Sequence, residues 1–344
     1  MKAIVLNALG GVEHFSEIDL PIPQPKEGEV RIRLKAAAFN PVDAKMRLGE
    51  YKLTLPKILG ADASGVIDAV GKNVKDFKEG DEVSALVFGQ GSNGTYAEYV
   101  CISTDFVIHK PKMLSFEQAA AFPLVALTAY RAVIEKNAIM GSQPVFVAGG
   151  GGSVGALAIQ LLQYLKIGPI FTTAGGEEAL SYLIKERKLK KEHILMYKGL
   201  GLEEMKQTLL SLNQNELFKA SFDFIGGLMK LLCLAITNYS GHMVTILSEK
   251  EEIAREFFNK GAGGAFSKSL SVHFVFVGSE SYYGSPQSWK VYKQQLEKIV
   301  RLINEKQLII SPPHVVGALS AVTVREAHLL LEKGQAKGKL AMTI

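Results

Sequence analysis

Residues 144–162, PVFVAGGGGSVGALAIQLL, decide how this chain is read. A compact apolar run over 144–148 is followed by four glycines, and then by Val154, Ala158, Leu161, Leu162 and Leu165 at helical spacing. That is a strand, a glycine turn and an amphipathic helix. Within it Gly150, Gly152 and Gly155 form GxGxxG directly between strand and helix, a context that a bare GxGxxG lacks. The first glycine is expected to allow a tight turn, the second to let backbone approach a pyrophosphate, and the third to let helix and strand pack closely. Residues Gly150, Gly151, Gly152, Ser153, Val154 and Gly155 are therefore the candidate phosphate cradle. The N–H groups of the first helical turn offer partial positive charge there. The competing reading is a glycine-rich turn with no ligand, but Gly149 and Gly151 add freedom that a purely structural turn does not need.

Outward from this stretch, apolar runs at 169–173, 194–197, 222–225, 243–247 and 272–277 alternate with helical segments such as 177–186. Continuous rather than alternating apolar strands imply a parallel sheet covered on both faces. Six of them fit an α/β, doubly wound (Rossmann) dinucleotide-binding domain. A free ribose 2′-hydroxyl usually meets an acid about 20 residues beyond the glycines. Here the second strand ends Phe171-Thr172-Thr173-Ala174-Gly175 without one, which favours NADPH over NADH. No Lys or Arg stands in that turn, and Glu177 and Glu178 follow. Thr173 at the strand end, with Tyr197 and Lys198 ending the third strand, are the candidate contacts.

Before residue 125 the pattern is different. Short runs at 3–6, 29–36, 63–70, 81–87 and 96–101 alternate with period 2 between Gly and Pro turns, which predicts a barrel-like β-sheet. After 278 come a loop with Tyr282, Tyr283 and Gly284, a long amphipathic helix, and a strand, helix and strand. A length of 344 residues suits two domains. With 47% hydrophobic and 21% charged residues the composition is that of a globular protein. A net charge of +5, with its densest basic run at 185–191 and no interleaved aromatics, does not suggest a nucleic-acid binder. There is no stretch of about 20 apolar residues and no signal-peptide core, so no membrane association and a cytoplasmic location are expected. Cys101 and Cys233 are isolated, which argues against disulfides and thiolate metal sites.

Several motifs together resemble the medium-chain dehydrogenase/reductase superfamily, and within it the zinc-free quinone oxidoreductase branch with its enone and alkenal reductases. They are AAAFNPVDAKMRLGEY (36–51), LPKILGADASGVIDAVG (55–71), FKEGDEV (77–83), AAAFPLVALTAYRAV (119–133), the glycine loop, and a terminal GKLAMTI. The resemblance implies a GroES-like, β-rich catalytic domain formed by residues 1–124 and 279–344, split around a Rossmann domain at 125–278. It further implies an active cleft between the two, and a homodimer. Zinc-dependent members place a Cys where this chain has Asn40, His-Glu where it has Ala61-Asp62, and a third ligand near Pro123–Leu124. Their structural zinc lobe falls near 88–101, which here holds only Cys101. No zinc site is expected from these positions.

Without a metal, an electron-poor double bond is an easier hydride acceptor than a saturated alcohol is a donor. The resemblance implies that Asn40 and Tyr51 face the substrate and donate hydrogen bonds to its developing oxyanion. It also implies that Thr128 contacts the nicotinamide, that Gly226 with Gly227 lies beside the adenosine or ribose, and that Phe276, Val277 and Gly278 approach the carboxamide. Each has a plainer reading: Asn40 as a turn residue before Pro41, Tyr51 as a pocket wall, Thr128 as a residue near a helix start. Asp43 and Asp62 read as structural. Two departures from the pattern bear on the 2′-phosphate: segment 179–212 lacks the usual LGAD, and no lysine follows the TTA strand end. The expected activity is hydride transfer from NADPH to a small quinone or α,β-unsaturated carbonyl. An enoyl thioester reductase and a non-catalytic NADPH-binding sensor are the rivals.

Overall fold

The structure is a computed structural model that describes residues 1–88, 93–136, 141–336 and 338–344. The chain divides into two compact units, Val125–Val277 and the combination of Met1–Leu124 with Gly278–Ile344. In Val125–Val277 six parallel strands are described: β1 (Val145–Ala148), β2 (Ile170–Ala174), β3 (Ile194–Met196), β4 (Phe218–Asp223), β5 (Thr237–Thr245) and β6 (Ser271–Phe274). They lie side by side as β3-β2-β1-β4-β5-β6, the order of a doubly wound dinucleotide-binding sheet. Strands β1 and β2 are buried along their whole length, which is why neither alternates between apolar and charged residues. Phe146, Phe171 and Phe218 from β1, β2 and β4 pack together on one face, with ring centroids 5.2–5.8 Å apart along Phe218. Helices α1 (Ser153–Tyr164), α2 (Glu177–Lys185), α3 (Leu202–Leu212), α4 (Leu228–Ile236) and α5 (Glu251–Phe257) supply the crossovers.

Two strands sit earlier than their apolar runs suggest. Only the first half of the run 222–225 lies in β4, because the strand starts at Phe218 and ends at Asp223. Likewise β5 begins at Thr237, six residues before the run 243–247. The strand pattern there is masked by polar residues at the entering ends.

The other unit is β-rich. Strand Glu29–Phe39 is its axis, pairing antiparallel with Asp62–Val70, Tyr99–Ser103 and Leu340–Thr343. Glu82–Leu86, Val107–His109 and His314–Ala318 extend the sheet, and a separate three-stranded sheet forms around Lys2–Leu6. Two short helices in the first 124 residues, Pro41–Arg47 and Phe116–Ala121, escape the period-2 reading. Pro41 at the first helical position follows an extended Asn40 (φ −129°, ψ 150°), and Asp43 brings an acid to the first turn. The register pairs Phe39 with Leu340 and Ala38 with Asp62. Three distant segments of sequence therefore meet where the long strand turns into this helix.

No helix among the described residues is long and apolar enough to cross a membrane.

Candidate functional site

The glycine loop closes tightly on the start of α1. Gly149 has φ +86°, so the left-handed residue of the turn is this glycine and not Gly150, the first of GxGxxG. Gly150 is required for space: a Cβ there would lie 2.2 Å from Thr172 Oγ1 and 2.7 Å from Ile159. A Cβ on Gly155 would lie 2.2 Å from the Gly149 carbonyl oxygen, so the third glycine seats the helix against the turn. A Cβ on Gly151 would come 3.0 Å from Ala179, while at Gly152, the N-cap of α1, it would meet only the Gly149 oxygen at 3.3 Å. Two threonines of β2 hold the loop. Thr173 Oγ1 accepts the Gly149 N–H at 2.9 Å, and Thr172 Oγ1 accepts the Gly150 N–H at 3.1 Å while donating to the Val147 carbonyl at 2.6 Å. Both threonines are buried, so the side chain of Thr173 serves the loop itself.

Past β2, the Tyr197 hydroxyl stands 3.2 Å from where a Cβ on Gly175 would sit. A Cβ on Gly176 would meet nothing within 4 Å. Lys198 follows on the exposed side of the same turn. Ser153 and Val154 occupy the first turn of α1.

At the end of β4 the Asp223 carboxylate accepts the N–H groups of Ile225 (3.1 Å) and Gly226 (2.7 Å) and the Thr245 hydroxyl (2.8 Å). Gly226 and Gly227 both have positive φ, +83° and +55°. Gly227 N–H donates to Glu249 Oε1 at 3.0 Å. The buried Lys230 ammonium completes this turn through Glu249 (2.9 Å) and the Leu247 carbonyl (2.7 Å). Lys230 and Glu249 carry no motif and were not legible as site residues. Beyond β6, Val277 is buried and its carbonyl accepts from Arg131 at 3.4 Å, while Phe276 is half-exposed. Thr128 is buried within helix Pro123–Tyr130, well past its start. Gly278 caps helix Ser279–Tyr283 in the β-rich unit and accepts from Ser281 Oγ at 3.1 Å.

Asn40 also belongs to the β-rich unit and is 1% exposed. Its Nδ2 donates to Asp62 Oδ2 at 2.9 Å, its backbone N–H donates to Asp43 Oδ2 at 2.8 Å, and its Oδ1 accepts from Lys339 Nζ. Asp62 Oδ1 accepts the Leu124 N–H at 2.8 Å, and Oδ2 lies 3.3 Å from Lys339. Burial pushes the pKa values of both carboxyls up, that of Asp43 to about 7. The Tyr96 hydroxyl donates to Asp43 at 3.2 Å and also lies 3.2 Å from His328 Nε2. Asp43 and Asp62 are thus structural partners, as their surroundings in sequence suggest. Lys339 stands in the GKLAMTI motif, which gave it no role of its own; the strand register brings it to Asn40.

Tyr51 is half-buried, and burial, followed by the Glu50 carboxylate and Tyr283, holds its phenol above the ordinary value and so protonated at neutral pH. Tyr282 is held higher still, to about 12, by burial, then Asp43 and Tyr51; its ring packs edge-on against Phe88 at 5.1 Å. Tyr282 is a further aromatic of this region; expected in a loop, it lies instead in helix Ser279–Tyr283. Among the described residues no group of three or more His, Cys, Asp or Glu side chains could hold a metal ion. Residues 89–92, part of the stretch equated with a structural zinc lobe, lie outside the described residues.

Residues 26–112 match the family of alcohol dehydrogenase GroES-like domains. Over 174 residues the chain is 41% identical to the chloroplastic NADPH-dependent alkenal/one oxidoreductase of Arabidopsis thaliana, covering 48% of this chain and 45% of that protein. Over 188 residues it is 36% identical to the quinone oxidoreductase of Homo sapiens, covering 54% and 56%. The chain thus spans about half the length of these curated relatives. A crystal structure of an NAD-dependent alcohol dehydrogenase is 30% identical and superposes with a TM-score of 0.82 over the full length of both chains. Similarity at that level over the whole length, on a six-stranded doubly wound sheet with a GroES-like partner unit, means that the chain belongs to the medium-chain dehydrogenase/reductase superfamily.

Proposed function

We propose that the protein is a zinc-independent oxidoreductase that transfers hydride from NADPH to a quinone or an α,β-unsaturated carbonyl. The observation that carries the cofactor half is the loop from Gly149 to Gly155. A Cβ at Gly150 or Gly155 would collide with its neighbours, whereas the space at Gly176 is open. This is a cradle built for close backbone approach, at the helix end that favours a pyrophosphate. Residues 150–155 would hold the diphosphate, and Gly226 the ribose side. Thr128 and the backbone of Phe276, Val277 and Gly278 would hold the nicotinamide side. Tyr197 and Lys198 would receive the 2′-phosphate, with Thr173 keeping the loop in place. NADPH is the cofactor named for the Arabidopsis relative, whereas NAD is named for the full-length structural neighbour. The missing acid at the end of β2 favours the former.

Once bound, the dinucleotide supplies a hydride. The chain's own part is to orient the acceptor and stabilise charge on its oxygen. Tyr51, kept protonated, can donate its O–H, and Asn40 can donate the Nδ2 hydrogen not given to Asp62. Zinc independence is supported by Lys339: its ammonium lies between Asn40, where zinc-dependent members have a Cys ligand, and Asp62, where they have the Glu of a His-Glu pair, and would repel a cation there. A cytoplasmic homodimer is part of the same proposal. Strand β6 ends the sheet with Phe274 58% exposed, an edge suited to a second copy.

The test is NADPH oxidation with 9,10-phenanthrenequinone, 1,4-benzoquinone and a set of enones. Saturable turnover is expected, slowed in Tyr51→Phe at unchanged NADPH affinity. Cofactor binding without turnover on any of them would favour a sensor instead.

A further inference from the structure

Lys339 is a buried cation whose use extends beyond repelling a metal. Its side chain is 9% exposed, and Nζ donates both to Asn40 Oδ1 and, at 3.3 Å, to Asp62 Oδ2. Pairing of Leu340 with Phe39 brings the residue before the last strand alongside the residue after the long one. Pairing of Ala38 with Asp62 adds the carboxylate.

An ammonium has only donors, and an ionised carboxylate has only acceptors. Between them the amide of Asn40 has one allowed orientation, with Oδ1 toward Lys339 and Nδ2 toward Asp62. One Nδ2 hydrogen is left over. A group so held presents a donor and suits an oxygen gaining negative charge. Asp62 imposes its half of the constraint only while ionised, and it is wholly buried. Burial pushes its pKa up, and Lys339, Asn40 and the Leu124 N–H work against burial in favour of the charged form.

We propose that Lys339 is a positioning residue for Asn40, pairing with Asp62 and locking the amide with its free N–H available to the acceptor oxygen. The inference rests on Asn40 being the donor to that oxygen. Without the ammonium, Asp62 would take up a proton, since a lone buried carboxylate is costly. A protonated carboxyl can itself donate, so the amide could turn its Oδ1 outward and repel the oxyanion.

The experiment compares Lys339→Met, Lys339→Arg and the charge-neutral double variant Lys339→Met/Asp62→Asn, each with NADPH affinity measured by fluorescence titration. Lys339→Met should lose at least about tenfold in kcat with NADPH affinity unchanged, in line with loss of an oriented oxyanion donor. Lys339→Arg should recover most of the loss, because a guanidinium also only donates. The double variant should remain folded and slow. Wild-type kcat in Lys339→Met or in the double variant, or equal losses in the Met and Arg variants, would overturn the proposal. Should Lys339→Met not fold, the Arg and double variants carry the same comparison. Wild-type protein that reduces neither quinones nor enones would defeat the functional reading and not this one. Positioning is then read from the side-chain amide signal of Asn40 in selectively ¹⁵N-asparagine-labelled protein. A signal protected from exchange in the wild type and altered in the double variant supports it; a signal indifferent to the substitution overturns it.

Discussion

Tyr96 joins two buried groups whose titrations oppose each other. Its hydroxyl is 3.2 Å from both Asp43 Oδ2 and His328 Nε2. Burial raises the Asp43 carboxyl from 3.8 to about 7. Between those values the folded chain keeps a proton that the unfolded chain has lost, so this contribution to stability falls as pH rises. Burial, followed by the Arg47 charge, lowers His328 from 6.5 to about 3. Between those values the unfolded chain gains a proton that the folded chain refuses, so this contribution falls as pH falls. Over about pH 4 to 6.5 the two slopes nearly cancel. Thermal melts should therefore show Asp43→Asn losing Tm on acidification through that range and His328→Gln gaining it. Parallel pH profiles for the two variants would contradict the coupling. At this scale the sequence was legible for Asn40, Asp43 and Asp62, which stand in a contiguous or paired motif. It was silent on the roles of Lys339, Tyr96 and His328, because their partners lie 53 to 299 residues away.

Among the elements, runs of mostly apolar residues marked β1, β2 and β3 closely, because strands covered on both faces admit few polar residues beyond hydrogen-bonded ones such as Thr172 and Thr173. The same rule misplaced β4 and β5, whose first halves carry polar residues, Lys219 in β4 and Thr237, Asn238 and Ser240 in β5. The glycine loop was legible as a loop and less so in its division of labour. Four consecutive glycines do not say which one takes the positive φ; closure of α1 on the β1 turn decides for Gly149. In the proposed function the turn after β3 carries the choice of cofactor. Tyr197 covers Gly175, and Lys198 is the nearest basic residue in that turn. Lys198→Ala should weaken NADPH binding by about fivefold to tenfold, the value of one exposed charge–phosphate contact at about 1 kcal/mol, and leave NADH binding unchanged. Equal loss for both cofactors in parallel titrations would remove Lys198 from the 2′-phosphate site.

For the whole molecule, the parallel sheet and the β-rich unit both followed from local periodicity, whereas the long-range pairings of the β-rich unit did not. Nothing in residues 314–344 announces that Leu340–Thr343 pairs with Glu29–Phe39 some 300 positions earlier. Such pairings are settled by side-chain packing and register after the chain has folded back, and only the collinear family motifs pointed that way. The central claim is that hydride goes from NADPH to a conjugated carbon without a metal. The direct measurement uses NADPH deuterated at C4, a simple enone, and protein extensively treated with a chelator, with mass spectrometry of the product. The expected result is a saturated ketone bearing deuterium at the carbon β to its carbonyl, formed at an undiminished rate. Deuterium at the carbonyl carbon of an alcohol, or turnover abolished by the chelator and restored by zinc, would contradict it.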